Sequence, residues 1–277
     1  MTGVERLQPT LDAPAKRTIV LIHGAWMTGS CWDKFKARYE SSGYRCIAPA
    51  WPYDERPVED LRRAPSRELA GVGITEIVDH YARMIGRLDA APLLIGHSFG
   101  GLFVQMLLDR GLGAAGVAID SAPPKGVLPG LDPIRAGFPV LRTWRGWKKI
   151  LTLSYKSFQW GWVHTLPEAD QRVAYERYVV PTPGRVFFQA AFAPFGSSTR
   201  VNVKNNARAP LLLIAGELDR TVETRMNRAN FKQYGKSSAV TAFKEFPGRT
   251  HWLIAAPGWE EVADYALEWA EARAARG

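Results

Sequence analysis

The hydrophobic pattern alternates between short apolar runs and longer amphipathic stretches. Thr18-Ile19-Val20-Leu21-Ile22 is a continuous, largely β-branched run, as expected of a strand buried on both faces. His23-Gly24-Ala25-Trp26 follows as a turn. Trp32 to Tyr39 reads as a helix stopped near Gly43, and Tyr44 to Ala48 as the next strand. From Pro49 to Gly73 the chain is rich in proline and charge and reads mainly as loop. Ile77, Tyr81, Ile85 and Leu88 recur at helical spacing within Ile74 to Leu88. Pro92-Leu93-Leu94-Ile95 is again strand-like, Leu102 to Leu108 begins a helix, and Ala115 to Ile119 is another short strand.

After Ser121 the rhythm breaks. Residues 123–208 contain few strand-like runs and many aromatics. The pattern resumes with a strand at Leu211-Leu212-Leu213-Ile214, a helix over Thr224 to Tyr234, a strand over Ala239 to Phe246 and a final helix over Trp259 to Ala274. Strands alternating with helices predict an α/β fold with a mostly parallel, doubly wound sheet. The broken middle predicts an inserted helical cap. The expected division is a loose N-terminal arm over 1–17, a core over 18–122 and 209–277, and a cap over 123–208.

The length of 277 residues and the apolar fraction of 46% suit one large globular unit with an insertion. No apolar run approaches the ~20 residues of a membrane span. Met1 to Lys16 lacks the apolar stretch of an export signal, so cytoplasmic residence is the expectation. Cys31 and Cys46 match no metal spacing and read as two buried thiols. The net charge of +9 is spread over scattered Lys and Arg mixed with acids, without a nucleic-acid motif. It is read as solubility with a bias toward anionic partners, and no nucleic acid is expected as a partner.

The candidate chemistry sits at Gly96-His97-Ser98-Phe99-Gly100, between a predicted strand and a predicted helix. A serine hydroxyl needs a base to become a nucleophile and a tight turn to project it. Bulky neighbours would clash in that turn, which accounts for Gly96 and Gly100. The following helix aims its N-terminal N–H groups and dipole at developing negative charge. The required chain order is Ser, acid, His. Asp219 follows the resumed strand, with Glu217 and Asp120 as rival acids. His251, past the last strand, is the only histidine late enough among His23, His80, His97, His164 and His251. His23 is expected to brace the first loop. The oxyanion donors are expected to be the backbone N–H groups of Phe99 and Ala25, with Trp26 the alternative to Ala25.

These residues resemble the α/β-hydrolase superfamily: His23-Gly24-Ala25-Trp26, Gly96 to Gly101, Asp219 and His251 fall where that family's motifs fall. The likeness runs from Thr18 onward. His-Gly-Ala-Trp followed by Trp32 also resembles the branch of plant methylesterases and hydroxynitrile lyases. The cap and the Arg249-Thr250-His251-Trp252 loop are more similar to uncharacterised microbial α/β-hydrolases. The resemblance implies a serine hydrolase that needs no cofactor and no metal. Ser98 stands where dehalogenase and epoxide hydrolase relatives use aspartate.

The expected reaction is cleavage of a carboxylic ester, lactone or thioester through a Ser98–His251–Asp219 triad and an acyl-enzyme. The expected substrate is an apolar or aromatic small molecule, with Trp26, Trp144, Trp160 and Trp252 as pocket candidates. Two alternatives stand beside it: a lyase or cofactor-free oxygenase on the same scaffold, and a small-molecule receptor with vestigial turnover. Arg142, Arg145, Lys148 and Lys149 interleave with Trp144 and Trp147. They are read as a solvated cap face, and nothing in the sequence turns them toward a substrate. The oligomeric state is not legible in the sequence.

Overall fold

The structure is a computed structural model that describes residues 17–274. The N-terminal arm expected over 1–17 therefore lies, except for Arg17, outside the described residues. Six parallel strands form the central sheet: β1 (Ile19–Ile22), β2 (Cys46–Ile47), β3 (Leu93–His97), β4 (Ala115–Ile119), β7 (Leu211–Gly216) and β8 (Thr241–Phe246). Their order across the sheet is β2-β1-β3-β4-β7-β8. Every residue of β1, β3, β4 and β7 is buried, which is why these segments read as continuous apolar runs rather than alternating ones. Each fully buried Leu or Ile there contributes roughly 1.5–3 kcal/mol.

The helices of this layer are α1 (Asp33–Ser41), α2 (Val58–Arg63), α3 (Ile74–Ile85), α4 (Phe99–Asp109), α9 (Thr224–Gln233) and α10 (Trp259–Ala274). In α3, Ile74, Ile77, Val78, Tyr81 and Ile85 form the buried stripe. In α10 the stripe is Val262, Ala263, Ala266, Leu267, Ala270 and Ala274. Helices α1 and α10 are fastened together. The Tyr39 hydroxyl donates to the Ala263 carbonyl at 2.8 Å, and the Arg38 guanidinium forks onto the Asp264 carboxylate. Part of the 49–73 stretch, read from its prolines as loop, is helical: it holds the short α2 and a 3₁₀ turn at Arg67–Gly71. Cys31 and Cys46 are free and buried.

Between β4 and β7 the chain forms α5 (Leu131–Leu141), α6 (Tyr155–Gly161), α7 (Glu168–Tyr178) and α8 (Gly184–Ala191). It also forms an antiparallel ribbon of β5 (Ile150–Leu151) and β6 (Thr182–Pro183). This segment is tied to the loops at the carboxyl ends of the central strands. The Val180 N–H donates to the Trp26 carbonyl at 2.9 Å, and the Trp26 N–H donates to the Thr182 hydroxyl at 2.8 Å.

The chain runs from β1 outward to β2 and then crosses back to β3. That reversal opens a crevice between the ends of β1 and β3, the usual ligand position in open parallel sheets. His23–Trp26 and Ser98 both emerge there.

Candidate active site

Ser98 follows β3 directly and sits at the N-cap position of α4. Its backbone is left-handed, with φ 56° and ψ −120°, a conformation non-glycine residues adopt only under constraint. Two hydrogen bonds supply that constraint: the Ser98 N–H donates to the Ile119 carbonyl, and the Ala122 N–H donates to the Ser98 carbonyl, both at 2.9 Å. The flanking glycines are demanded by contact. A Cβ on Gly96 would lie 2.2 Å from the Gly100 carbonyl oxygen, and one on Gly100 would lie 2.0 Å from that of Ile22. A Cβ on Gly24 would lie 2.7 Å from the Ser98 Cβ, so the first loop passes directly beside the serine.

Asp219 and His251 are brought together by the ends of β7 and β8. The Leu218 N–H donates to the Arg249 carbonyl at 2.8 Å and fastens the two loops. His251 Nδ1 donates to Asp219 Oδ2 at 2.6 Å. The other Asp219 oxygen accepts the Thr221 and Val222 N–H groups at 2.6 and 2.9 Å. With its proton on Nδ1, His251 carries a lone pair on Nε2, which is buried without a hydrogen-bond partner. Burial pushes the His251 imidazole down to about 3, so it is neutral at ordinary pH.

The rival acids have other positions. Glu217 is exposed and accepts the Gly248 N–H at 2.8 Å. Asp120 lies deeper, with Oδ2 4.0 Å from His251 Nδ1 and Oδ1 accepting the Gly216 N–H at 2.7 Å. Burial pushes both aspartate carboxyls up. Asp219 is pulled back by its two N–H donors, whereas Asp120 is pushed further by the charge of Asp219. Asp120 is therefore the partner that keeps the proton. His97, Asp120 and His251 also have ligand atoms within 4.8 Å of one another, a spacing a metal ion requires. They belong to this same cluster, where Asp219 already engages His251.

Two histidines fix the loops. His23 Nε2 accepts the Trp51 N–H at 3.2 Å, which leaves Nδ1 to donate to the Gly24 carbonyl at 2.9 Å. His97 Nε2 donates to the His251 carbonyl at 2.8 Å. Sequence reasoning gave His97 no role. Its position beside Ser98 marks only that its side chain leaves on the other side of the turn, and its target is set by the fold.

Phe99 is the first residue of α4, so its N–H has no partner within the helix. In the loop after β1, the Trp26 N–H is occupied by Thr182.

A cavity of about 1450 Å³ opens over this cluster, and Ala25, Trp26, Ser98 and Phe99 form part of its wall. Trp26 and Trp160 line it. Trp144 and Trp252, also expected in the pocket, are not among the residues that line this cavity. Trp144 is 80% exposed and outside the lining, because the chain beyond α5 turns it to solvent. Trp252 is 2% exposed and packs under the site against Tyr178, with ring centroids 5.3 Å apart. Two aromatics not singled out for the pocket are closer to the chemistry. Trp162 meets His251 edge-on at 4.5 Å, and Phe187 stacks on Trp26 at 5.0 Å.

The sequence profile of the alpha/beta hydrolase family matches residues 19–265. The chain belongs to this family. Among curated family relatives, a pyrethroid hydrolase of Sphingobium wenxiniae is 30% identical over 93 residues, covering 32% of this chain and 29% of that protein. Methylesterase 8 of Arabidopsis thaliana is 28% identical over 98 residues, covering 34% of this chain and 33% of that protein. The chain thus matches about a third of the length of these relatives. Among solved structures of this fold, tomato methylketone synthase I complexed with 2-tridecanone superposes with a TM-score of 0.68. It is 16% identical and covers 93% of this chain and 99% of that one. At that identity the likeness speaks for the fold alone. Among the described residues, no helix is long and apolar enough to cross a membrane.

Proposed function

We propose that this protein is a serine hydrolase that cleaves a carboxylic ester of a largely apolar small molecule. The carrying observation is Ser98 at a strained turn in the cavity wall, with a buried His251–Asp219 pair presented from the neighbouring strand ends. Residues 123–208 act as the cap over a core formed by the remaining described residues. Relatives named as a hydrolase and as a methylesterase support the reaction class.

In this reading His251 Nε2 takes the Ser98 proton as Oγ forms a bond to the ester carbonyl carbon. The resulting oxyanion lies at the Phe99 and Ala25 N–H groups; the Trp26 N–H is the less suitable donor because Thr182 holds it. The carbon–oxygen bond to the alcohol then breaks, and His251 returns the proton to the leaving oxygen. A water repeats the sequence on the acyl-enzyme and releases the acid. Asp219 holds the His251 tautomer and stabilises the imidazolium, while Asp120 steadies Asp219.

Turnover of p-nitrophenyl esters by wild type and by Ser98→Ala tests this reading. The substitution is expected to lower kcat/KM by at least roughly 10³-fold. Turnover near the wild-type rate would overturn it.

A further inference from the structure

The charged groups lining the cavity are of one sign. Lys125, Arg135, Lys156 and Arg220 are in its wall, and no aspartate or glutamate is. They come from separate segments: Lys125 from the loop after β4, Arg135 from α5, Lys156 from α6 and Arg220 from the loop after β7. None of the four makes an ion pair among the described residues, although eleven contacts of that kind occur in the structure. Lys125 donates to the Gly196 carbonyl and Arg220 to the Trp160 carbonyl, at 3.0 and 3.3 Å.

The arrangement tightens at Trp160. The Arg135 guanidinium lies over its indole 4.2 Å from the ring centre, and Arg220 lies 5.5 Å from it. One indole thus gathers two cations that repel each other. Among the described residues no acid is in ion-pair contact with either guanidinium: Glu223 is paired with Arg225, and Asp132 is in no ion pair. Arg220 is half-buried and Arg135 is exposed, and the mostly apolar wall beside them screens their positive field less than open water does. Guanidinium groups held on an aromatic plane are also suited to forked hydrogen bonds with a carboxylate.

We propose that Arg135 and Arg220, gathered on Trp160, form an anion subsite, and that the natural substrate is an ester carrying a carboxylate remote from the scissile bond. The apolar lining takes the body of such a molecule and the cation pair takes its charged end. The inference rests on the reading of this cavity as the substrate site of an esterase. It replaces the basic residues of the 142–149 stretch, which lie outside the cavity lining, as the source of any preference for anions.

The test compares two matched pairs of esters. In one the charge is on the acyl side: mono-(4-nitrophenyl) adipate against 4-nitrophenyl hexanoate. In the other it is on the alcohol side: 4-carboxyphenyl hexanoate against 4-methylphenyl hexanoate. The wild-type kcat/KM is expected to be about tenfold higher for the anionic member of at least one pair. In Arg135→Gln/Arg220→Gln that ratio falls about tenfold, and each single variant, checked for native circular dichroism, falls part of the way. Lys148→Gln removes the same charge outside the cavity and keeps the wild-type ratio. A wild-type ratio of one or below in both pairs overturns the subsite while leaving the esterase reading intact. So does an equal fall in Lys148→Gln. If no ester is turned over, the esterase reading fails and the subsite is read by calorimetric titration with adipic acid monoanilide against hexananilide. Tighter binding of the anionic anilide, lost in the double variant, upholds it; equal binding overturns it.

Discussion

At the scale of single residues, the decisive contrast is between Asp219 and Asp120. Both are buried beside His251, but only Asp219 is at hydrogen-bond distance from Nδ1. An asparagine at 219 would leave Nδ1 without its anion and permit the wrong tautomer. Asp219→Asn should lower kcat by on the order of 10⁴-fold. An asparagine at 120 keeps the size and neutrality of a protonated carboxyl, and its carbonyl still accepts the Gly216 N–H. Asp120→Asn should therefore stay within about tenfold of wild type in ester turnover. The reverse ranking would make Asp120 the operative acid. The pH profile makes a second demand. The base must be neutral to accept a proton, so kcat/KM rises as pH rises through the His251 value. Burial lowers that value to about 3, so the acid limb should have its midpoint below 6.5 while circular dichroism shows the protein folded. A midpoint at or above 6.5 would contradict the burial argument. Ser98, Asp219 and His251 were legible as candidates because their residue types and chain order are chemically restrictive. Asp120 was legible only as a rival, since proton sharing depends on a distance no sequence displays.

At the scale of elements, the turn between β3 and α4 stores the strain that projects Ser98. It is tolerated because Gly96 and Gly100 let three backbone segments pass within contact distance. Gly100→Ala would drive a methyl group into the Ile22 carbonyl and should destabilise the protein by about 3 kcal/mol in chemical denaturation. A loss under ~0.5 kcal/mol would show that the turn is looser than described. The core strands were readable because burial on both sheet faces writes itself as short runs of apolar and small residues with little polar alternation. Strand β4 matches its expected bounds, and β1, β3 and β7 differ only at their ends. The stretch from 49 to 73 was less readable. Its prolines and charges mask α2, which is too short to display a periodic stripe. Within 123–208, aromatic richness announced packing but not its direction. Phe158 faces the core, Trp160 the cavity and Trp144 the solvent, and the sequence shows no difference in kind among them.

At the scale of the whole molecule, the order β2-β1-β3-β4-β7-β8 gathers residues from far along the chain at one edge of the sheet. The loop after β1 lies beside Ser98, and the loops after β7 and β8 supply the acid and the histidine. The 123–208 segment closes over them and supplies both the apolar wall and part of its positive charge. A parallel sheet with a site at its carboxyl ends was foreseeable from alternation and motif order. Which of 36 Lys and Arg residues would face inward was not, because the lining of a cavity is a property of the assembled fold. Everything proposed for this assembly depends on Ser98 being its nucleophile. Labelling the folded protein with a fluorophosphonate and mapping the adduct by mass spectrometry tests it most directly. One adduct per chain is expected, on Ser98, and none in Ser98→Ala. An unlabelled wild type, or an adduct that persists in Ser98→Ala, would contradict it.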